Sequence, residues 1–200
     1  MVSQMSLSSY EVEVKVAIKS PAVTEQALLG LGAVKTNSET EVDEYFNHPC
    51  RSFEDTDEAL RIRRRETTDI AANSADQQAD IIEMTYKGPK LDTSTKTRYE
   101  MSVGLSDTAS AQSILKRLGF TSVATVKKER TFFSIGDMVV SIDIVEDLGS
   151  YLEAEQIVGT KDEIPGAREG IFQFLGKLGL HREDSIRESY LELYLKKMGR

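Results

Sequence analysis

The sequence predicts an α+β domain built on a closed antiparallel β-barrel of about eight strands, with flanking helices and a helical C-terminus. Segment after segment alternates apolar and polar residues at the period of a strand, starting with "YEVEVKVAI". Helical stripes occupy the connections and take over the C-terminal part. So many strands in one domain favour closure, since a barrel leaves no unpaired edge.

The first strand, at about Tyr10–Ile18, ends at Ser20-Pro21, a serine N-cap followed by proline at the first helical position. Val23, Ala27, Leu28 and Leu31 then give a helical stripe, closed by Gly30 and Gly32. A long extended segment, roughly Ala33–Phe46, stops at "NHPC". Ala59–Glu66 alternates again, with Leu60, Ile62 and Arg64 opposite Arg61, Arg63 and Arg65. The polar, aperiodic stretch at about 67–79 reads as a flexible loop. "IIEMTYKG" and "STKTRYEMSVG" are two more strands, and Asp107 caps a short helix carrying Ile114, Leu115 and Leu118 up to Gly119. "SVATVKKERTFFSI" and "MVVSIDIVEDL" form a hairpin about Gly136-Asp137, and "SYLEAEQIVG" is a further strand. The helical part spans about 165–199: Pro165 opens one helix, and a Ser185/Glu188 capping box opens a second. With no internal repeat, residues 1–200 read as a single domain.

Composition excludes several function classes. The 40% apolar and 29% charged residues are those of a globular protein. A net charge of −8 argues against general nucleic-acid binding, although "RIRRR", "VKKER" and "TKTR" concentrate basic residues locally. No stretch approaches the ~20 apolar residues of a membrane span, and the polar start lacks the apolar core of a signal peptide. Cys50, the only cysteine, excludes internal disulfides and cysteine-built zinc sites. A cytoplasmic protein is expected, with no membrane or nucleic-acid partner. His48 and His181, far apart and without a cysteine partner, read as surface residues.

The polar faces of the strands carry the functional signal. Glu11, Glu13 and Lys15 share one face; Arg61 and Arg63, Lys87, Arg98 and Glu100, Lys128 and Arg130, Asp143, and Glu153 and Glu155 recur on other strands. If these faces point inward, seven basic groups surround a cavity beside a cluster of carboxylates. Charges at that density persist inside a fold only when paired or binding ions. Carboxylates suit Mg²⁺ or Mn²⁺, and arginine and lysine suit the oxygens of a polyphosphate. Together they are how phosphoryl chemistry is assembled, by positioning and charge neutralisation.

"EVEVK" resembles the ExExK signature of the CYTH superfamily, which includes class IV adenylyl cyclases of the CyaB type and thiamine triphosphatases. "DEYF", "ALRIRR", "TYKGP", "TRYE", "KKER", "SIDIVEDLGSYLEAE" and "SYLELY" follow in the family's order over nearly the whole chain. The resemblance implies a triphosphate tunnel, a closed eight-strand barrel whose charged lumen binds a triphosphate with Mg²⁺ or Mn²⁺. It implies Glu11, Glu13, Asp143, Glu153 and Glu155 as metal-side carboxylates, with Glu100 the candidate the pattern supports least, because Ser102 stands where many members carry a further acid. Lys15, Arg61, Arg63, Lys87, Arg98, Lys128 and Arg130 would grip the phosphates, and Glu11, Glu13, Lys15 and Lys87 would stand at the reacting centre. "SSY" replaces the "HF" that often precedes ExExK in cyclase-like members.

Three functions compete. The first is a cyclase, in which the 3′-hydroxyl of ATP attacks the α-phosphorus and pyrophosphate departs as cyclic AMP forms. The second is a triphosphatase acting on thiamine triphosphate, a nucleoside triphosphate or inorganic tripolyphosphate. The third is a non-catalytic polyphosphate or nucleotide sensor. "KGP" favours the cyclase-like branch, and the absence of tryptophan lowers thiamine triphosphate, whose head group is expected to stack on indole. The amphipathic C-terminal helix suits either a barrel plug or a dimer seam, so a monomer or homodimer is expected.

Overall fold

The computed structural model describes residues 10–68, 80–90 and 98–199. Eight strands form one antiparallel sheet in the order β1-β8-β7-β6-β2-β3-β4-β5. They are β1 (Tyr10–Ile18), β2 (Val34–Asn47), β3 (Ala59–Thr68), β4 (Ile81–Lys90), β5 (Arg98–Leu105), β6 (Thr121–Ile135), β7 (Met138–Val145) and β8 (Gly149–Val158). Four α-helices accompany them: α1 (Pro21–Gly30), α2 (Thr108–Arg117), α3 (Ile164–Lys177) and α4 (Tyr190–Lys197). The loop expected at about 67–79 lies outside the described residues from 69 on, and Thr67 and Thr68 continue β3.

The helices start where their caps dictate. The Ser20 hydroxyl accepts from Val23 N–H, and Asp107 accepts from Ala109 and Ser110 N–H. Gly119, at a φ of +88°, turns the chain out of α2 so that Phe120 N–H reaches Leu115 C=O. The helices cover the outer face of the sheet. Val12, Val14 and Val16 pack with Leu28 of α1 and with Ile171, Phe174 and Leu175 of α3, while Phe46, Leu60 and Ile62 pack with Ala111 and Leu115 of α2. Burying aliphatics on that face leaves the charged residues on the inner one.

Two expectations are corrected. The sheet curls into a half-barrel and does not close: among the described residues no ladder joins β1 to β5. Part of the β1 edge is already occupied, because Ile186 N–H donates to Lys15 C=O at 2.7 Å and Ser185 bridges Val16. The lips also carry like charges, Glu11 and Glu13 on β1 against Glu100 on β5, which oppose zipping. The second correction concerns the last helix. The Ser185/Glu188 box does not open it; Ser185 is extended against β1, and α4 begins at Tyr190 with Ser189 and Glu192 forming the capping box. Both boxes satisfy the same sequence signature, and pairing with the sheet edge claims the first serine.

Candidate functional site

Register brings the charged residues together on the inner face. Glu13 lies opposite Glu155 and Lys15 opposite Glu153 across β1 and β8, Arg130 opposite Asp143 across β6 and β7, and Lys87 opposite Glu100 across β4 and β5. Lys15 is 1% exposed, Lys128 4%, Arg61 8% and Arg63 9%, unusual values for such side chains. Each is held by what surrounds it. Arg63 grips Asp43 through a fork with both contacts at 2.6 Å, and Glu41 at 2.8 Å. Lys128 lies 2.8 Å from Glu41 and 3.4 Å from Asp143. Arg130 pairs with Asp143 through Nε at 2.6 Å and also with Glu153.

Arg61 is less committed. Its guanidinium is 3.6 Å from Asp43, and its buried Nε has no hydrogen-bond partner among the described residues. A buried, unsatisfied donor is costly, so this nitrogen favours an anionic acceptor. Lys87 pairs with Glu100 at 2.6 Å, and burial together with Arg61 lowers its pKa. Arg98 stands apart, 3.7 Å from Asp57. Beside it a cavity of about 240 Å³ mixes apolar residues such as Phe46, Leu60 and Leu191 with Asp57, Glu58, Glu192 and Lys196.

Asp143 and Glu153 are ion-paired, and Asp143 also accepts the Tyr190 hydroxyl at 2.7 Å. Glu11, Glu13 and Glu155 face one another on β1 and β8. Burial, Glu11 and Glu13 push Glu155 up to about 7, and burial with Glu13 raises Glu11. Among the described residues no three ligating side chains stand close enough to hold an ion. The donor chemistry nevertheless fits a hard divalent cation: oxygen ligands whose mutual repulsion a cation would relieve. Glu100, half-exposed, is taken up by Lys87.

Sequence reasoning missed two features of this site. Glu39, Glu41 and Asp43 form an acidic row on the inner face of β2, 9%, 1% and 3% exposed. The spacing of "SETEVD" carries the same alternation as ExExK, and that signal could have found them. The other is α4, which lays Tyr190 into the lumen. Lys15 Nζ donates to Glu188 C=O and sits 4.2 Å from the Tyr190 ring centroid, with Lys128 at 5.2 Å. Tyr190 is buried with its hydroxyl satisfied by Asp143, inside the lumen.

A curled antiparallel sheet whose concave face gathers buried arginines, lysines and carboxylates defines an α+β half-barrel with a charged lumen. The particular family follows from comparison: the CYTH domain matches residues 9–190, and the chain belongs to that family. It is 37% identical over 185 residues to a Methanocaldococcus jannaschii protein whose name proposes an adenylate cyclase, covering 92% of this chain and 97% of that one. The solved structure of PH1819 from Pyrococcus horikoshii superposes with a TM-score of 0.82 at 36% identity, covering 94% of this chain and 99% of the other. HpAC1 of Hippeastrum, an adenylyl cyclase by name described with a dominant triphosphatase activity, shares the fold at 12% identity with a TM-score of 0.56, covering 96% and 97%. Among the described residues no helix is long and apolar enough to cross a membrane.

Proposed function

We propose that the lumen binds the triphosphate of ATP with Mg²⁺ or Mn²⁺ and converts it to cyclic AMP and pyrophosphate, as a class IV adenylyl cyclase does. The observation that carries this reading is the convergence of Lys15, Arg61, Arg63, Lys87, Lys128 and Arg130 on one concave face, with Arg61 Nε unpartnered there. Arg61, Arg63, Lys128 and Arg130 bind the phosphate oxygens and stabilise the charge that develops on departing pyrophosphate. Arg98, lining the cavity, holds the end of the phosphate chain nearest the organic head group. Lys87, whose ammonium is disfavoured by burial and by Arg61, is suited to carry a proton at the reacting hydroxyl. Glu11, Glu13 and Glu155 would hold the cation, with Asp143, Glu153 and Glu100 joining only on release from their present partners. The cation supplies charge neutralisation at the α-phosphate.

The cavity beside Arg98 favours a nucleotide over inorganic tripolyphosphate, since its mixed apolar and polar lining could seat an organic head group. Hydrolysis of a triphosphate is the second reading, and HpAC1 supports it as a case in which this fold and a cyclase name accompany triphosphatase activity. A pure sensor has no need of the repelling carboxylates Glu11, Glu13 and Glu155.

The test is product identification after incubation with Mg²⁺ or Mn²⁺ and, separately, ATP, thiamine triphosphate and tripolyphosphate. Cyclic AMP with pyrophosphate is expected from ATP. Orthophosphate without a cyclic product overturns the cyclase and leaves the triphosphatase, while binding without turnover leaves the sensor.

A further inference from the structure

Glu39 and Glu41 stand two residues apart on the inner face of β2, both buried. Two neighbouring buried carboxyls repel when both are ionised, and a proton on one relieves that repulsion. Their surroundings decide which one keeps the charge. Glu41 has Arg63 and Lys128 each at 2.8 Å, and with Arg130 these cations hold it far below the usual carboxylate range although burial alone would raise it. For Glu39, burial and then Glu41 oppose ionisation more strongly than Arg65 and Arg130 favour it, and the carboxyl is pushed up to about 7. The other charged groups around the pair are Asp43 on β2, Asp143 on β7 and Glu153 on β8, the last two held through Arg130. The lumen therefore has a built-in acid whose proton is exchangeable near neutrality, next to the cations that a phosphate chain would need.

We infer that the Glu39–Glu41 pair is a proton-linked counterion: a polyphosphate entering the lumen draws Arg63 and Lys128 away from Glu41, and the pair takes up a proton in exchange. The inference rests on the polyphosphate reading of the lumen and adds to it a residue, Glu39, that sets how binding depends on pH. The balance is simple. Polyphosphate brings negative charge, the carboxylates lose the cations that kept them ionised, and one proton from solvent settles between Glu39 and Glu41. No bond to phosphorus changes.

Sign and size follow from linkage. A group that binds its proton more tightly in the complex makes binding weaken as pH rises through its free value. Glutamine at position 39 imitates the protonated acid permanently. Glu39→Gln should therefore bind inorganic tripolyphosphate about tenfold more tightly than the wild type at pH 8.5, and equally well at pH 6. Calorimetric titration with metal-free tripolyphosphate, in buffers of different ionisation enthalpy at pH 7.5, reads the protons taken up. The wild type is expected to take up more than Glu39→Gln, with protons bound by the phosphate itself cancelling in the difference. A proton titration of the two free proteins between pH 5 and 9 should show one group fewer in the variant. Equal proton uptake with parallel affinity-versus-pH curves overturns the inference while leaving the polyphosphate site intact. Failure of tripolyphosphate to bind either protein overturns the polyphosphate reading and this inference with it.

Discussion

At the scale of the residue, the inner face is a set of charges that cannot be removed one at a time. Arg63 neutralises both Glu41 and Asp43, and its loss leaves two buried carboxylates with reduced compensation. Arg63→Ala should cost about 3–5 kcal/mol of unfolding free energy, read by urea denaturation, because breaking a buried pair costs more than the pair contributes. Glu155 works in the opposite sense. Its pKa is about 7 in the fold against an ordinary 4.5, so the folded state binds the extra proton and its contribution to stability is lost as pH rises from about 4.5 to 7. Glu155→Gln should therefore raise Tm at pH 8 and leave it unchanged at pH 4. Added Mg²⁺ should raise the Tm of the wild type more than that of the variant, because it relieves the same repulsion.

The sequence revealed this scale unevenly. Glu11, Glu13 and Lys15 alternate with valines, and Arg61 and Arg63 with Leu60 and Ile62, so burial of one face shows directly in the pattern. Glu39, Glu41 and Asp43 alternate with Thr40, Val42 and Glu44, a nearly polar partner face, so no hydrophobic period marks which side turns inward. Partners across strands, such as Arg63 with Asp43, depend on register and are absent from local pattern altogether.

At the scale of the element, strands and first helices follow their local signals closely: β1 and the caps at Ser20 and Asp107 stand where alternation and capping chemistry put them. The last helix shows where local signal fails. Two serine–glutamate boxes lie four residues apart, and the choice between them is made by tertiary pairing of Ser185 and Ile186 with β1. The result seats Tyr190 in the lumen with its hydroxyl on Asp143. Burial and the negative charges of Glu153 and Asp143 raise this phenol well above its ordinary pKa, so it stays a donor throughout the physiological range. Tyr190→Phe keeps the ring and removes the donor; it should cost about 1–3 kcal/mol in thermal or urea unfolding. Ser189→Ala should cost about 1 kcal/mol by weakening the cap of the same helix.

At the scale of the molecule, an acidic protein gathers many of its cations, paired with carboxylates, on one concave face. The net charge of −8 describes the whole chain, while the concave face gathers cations that the outer surface would not reveal. The approximate strand number and their antiparallel character could be read from the sequence, but strand order and closure could not. Whether β1 and β5 pair depends on what else occupies the β1 edge and on charges meeting across the gap, neither of which has a local signature. The central claim is that this face binds a triphosphate through its arginines and lysines. Its most direct test is calorimetric titration of Mg²⁺-ATP into the wild type and Arg61→Gln at low ionic strength. Arg61 has the unpartnered Nε and the looser tie to Asp43, so the variant disturbs the fold least. Binding by the wild type with a loss of roughly 10- to 100-fold in the variant is predicted, as for removal of one charge-assisted contact; equal affinity of the two proteins would contradict the account.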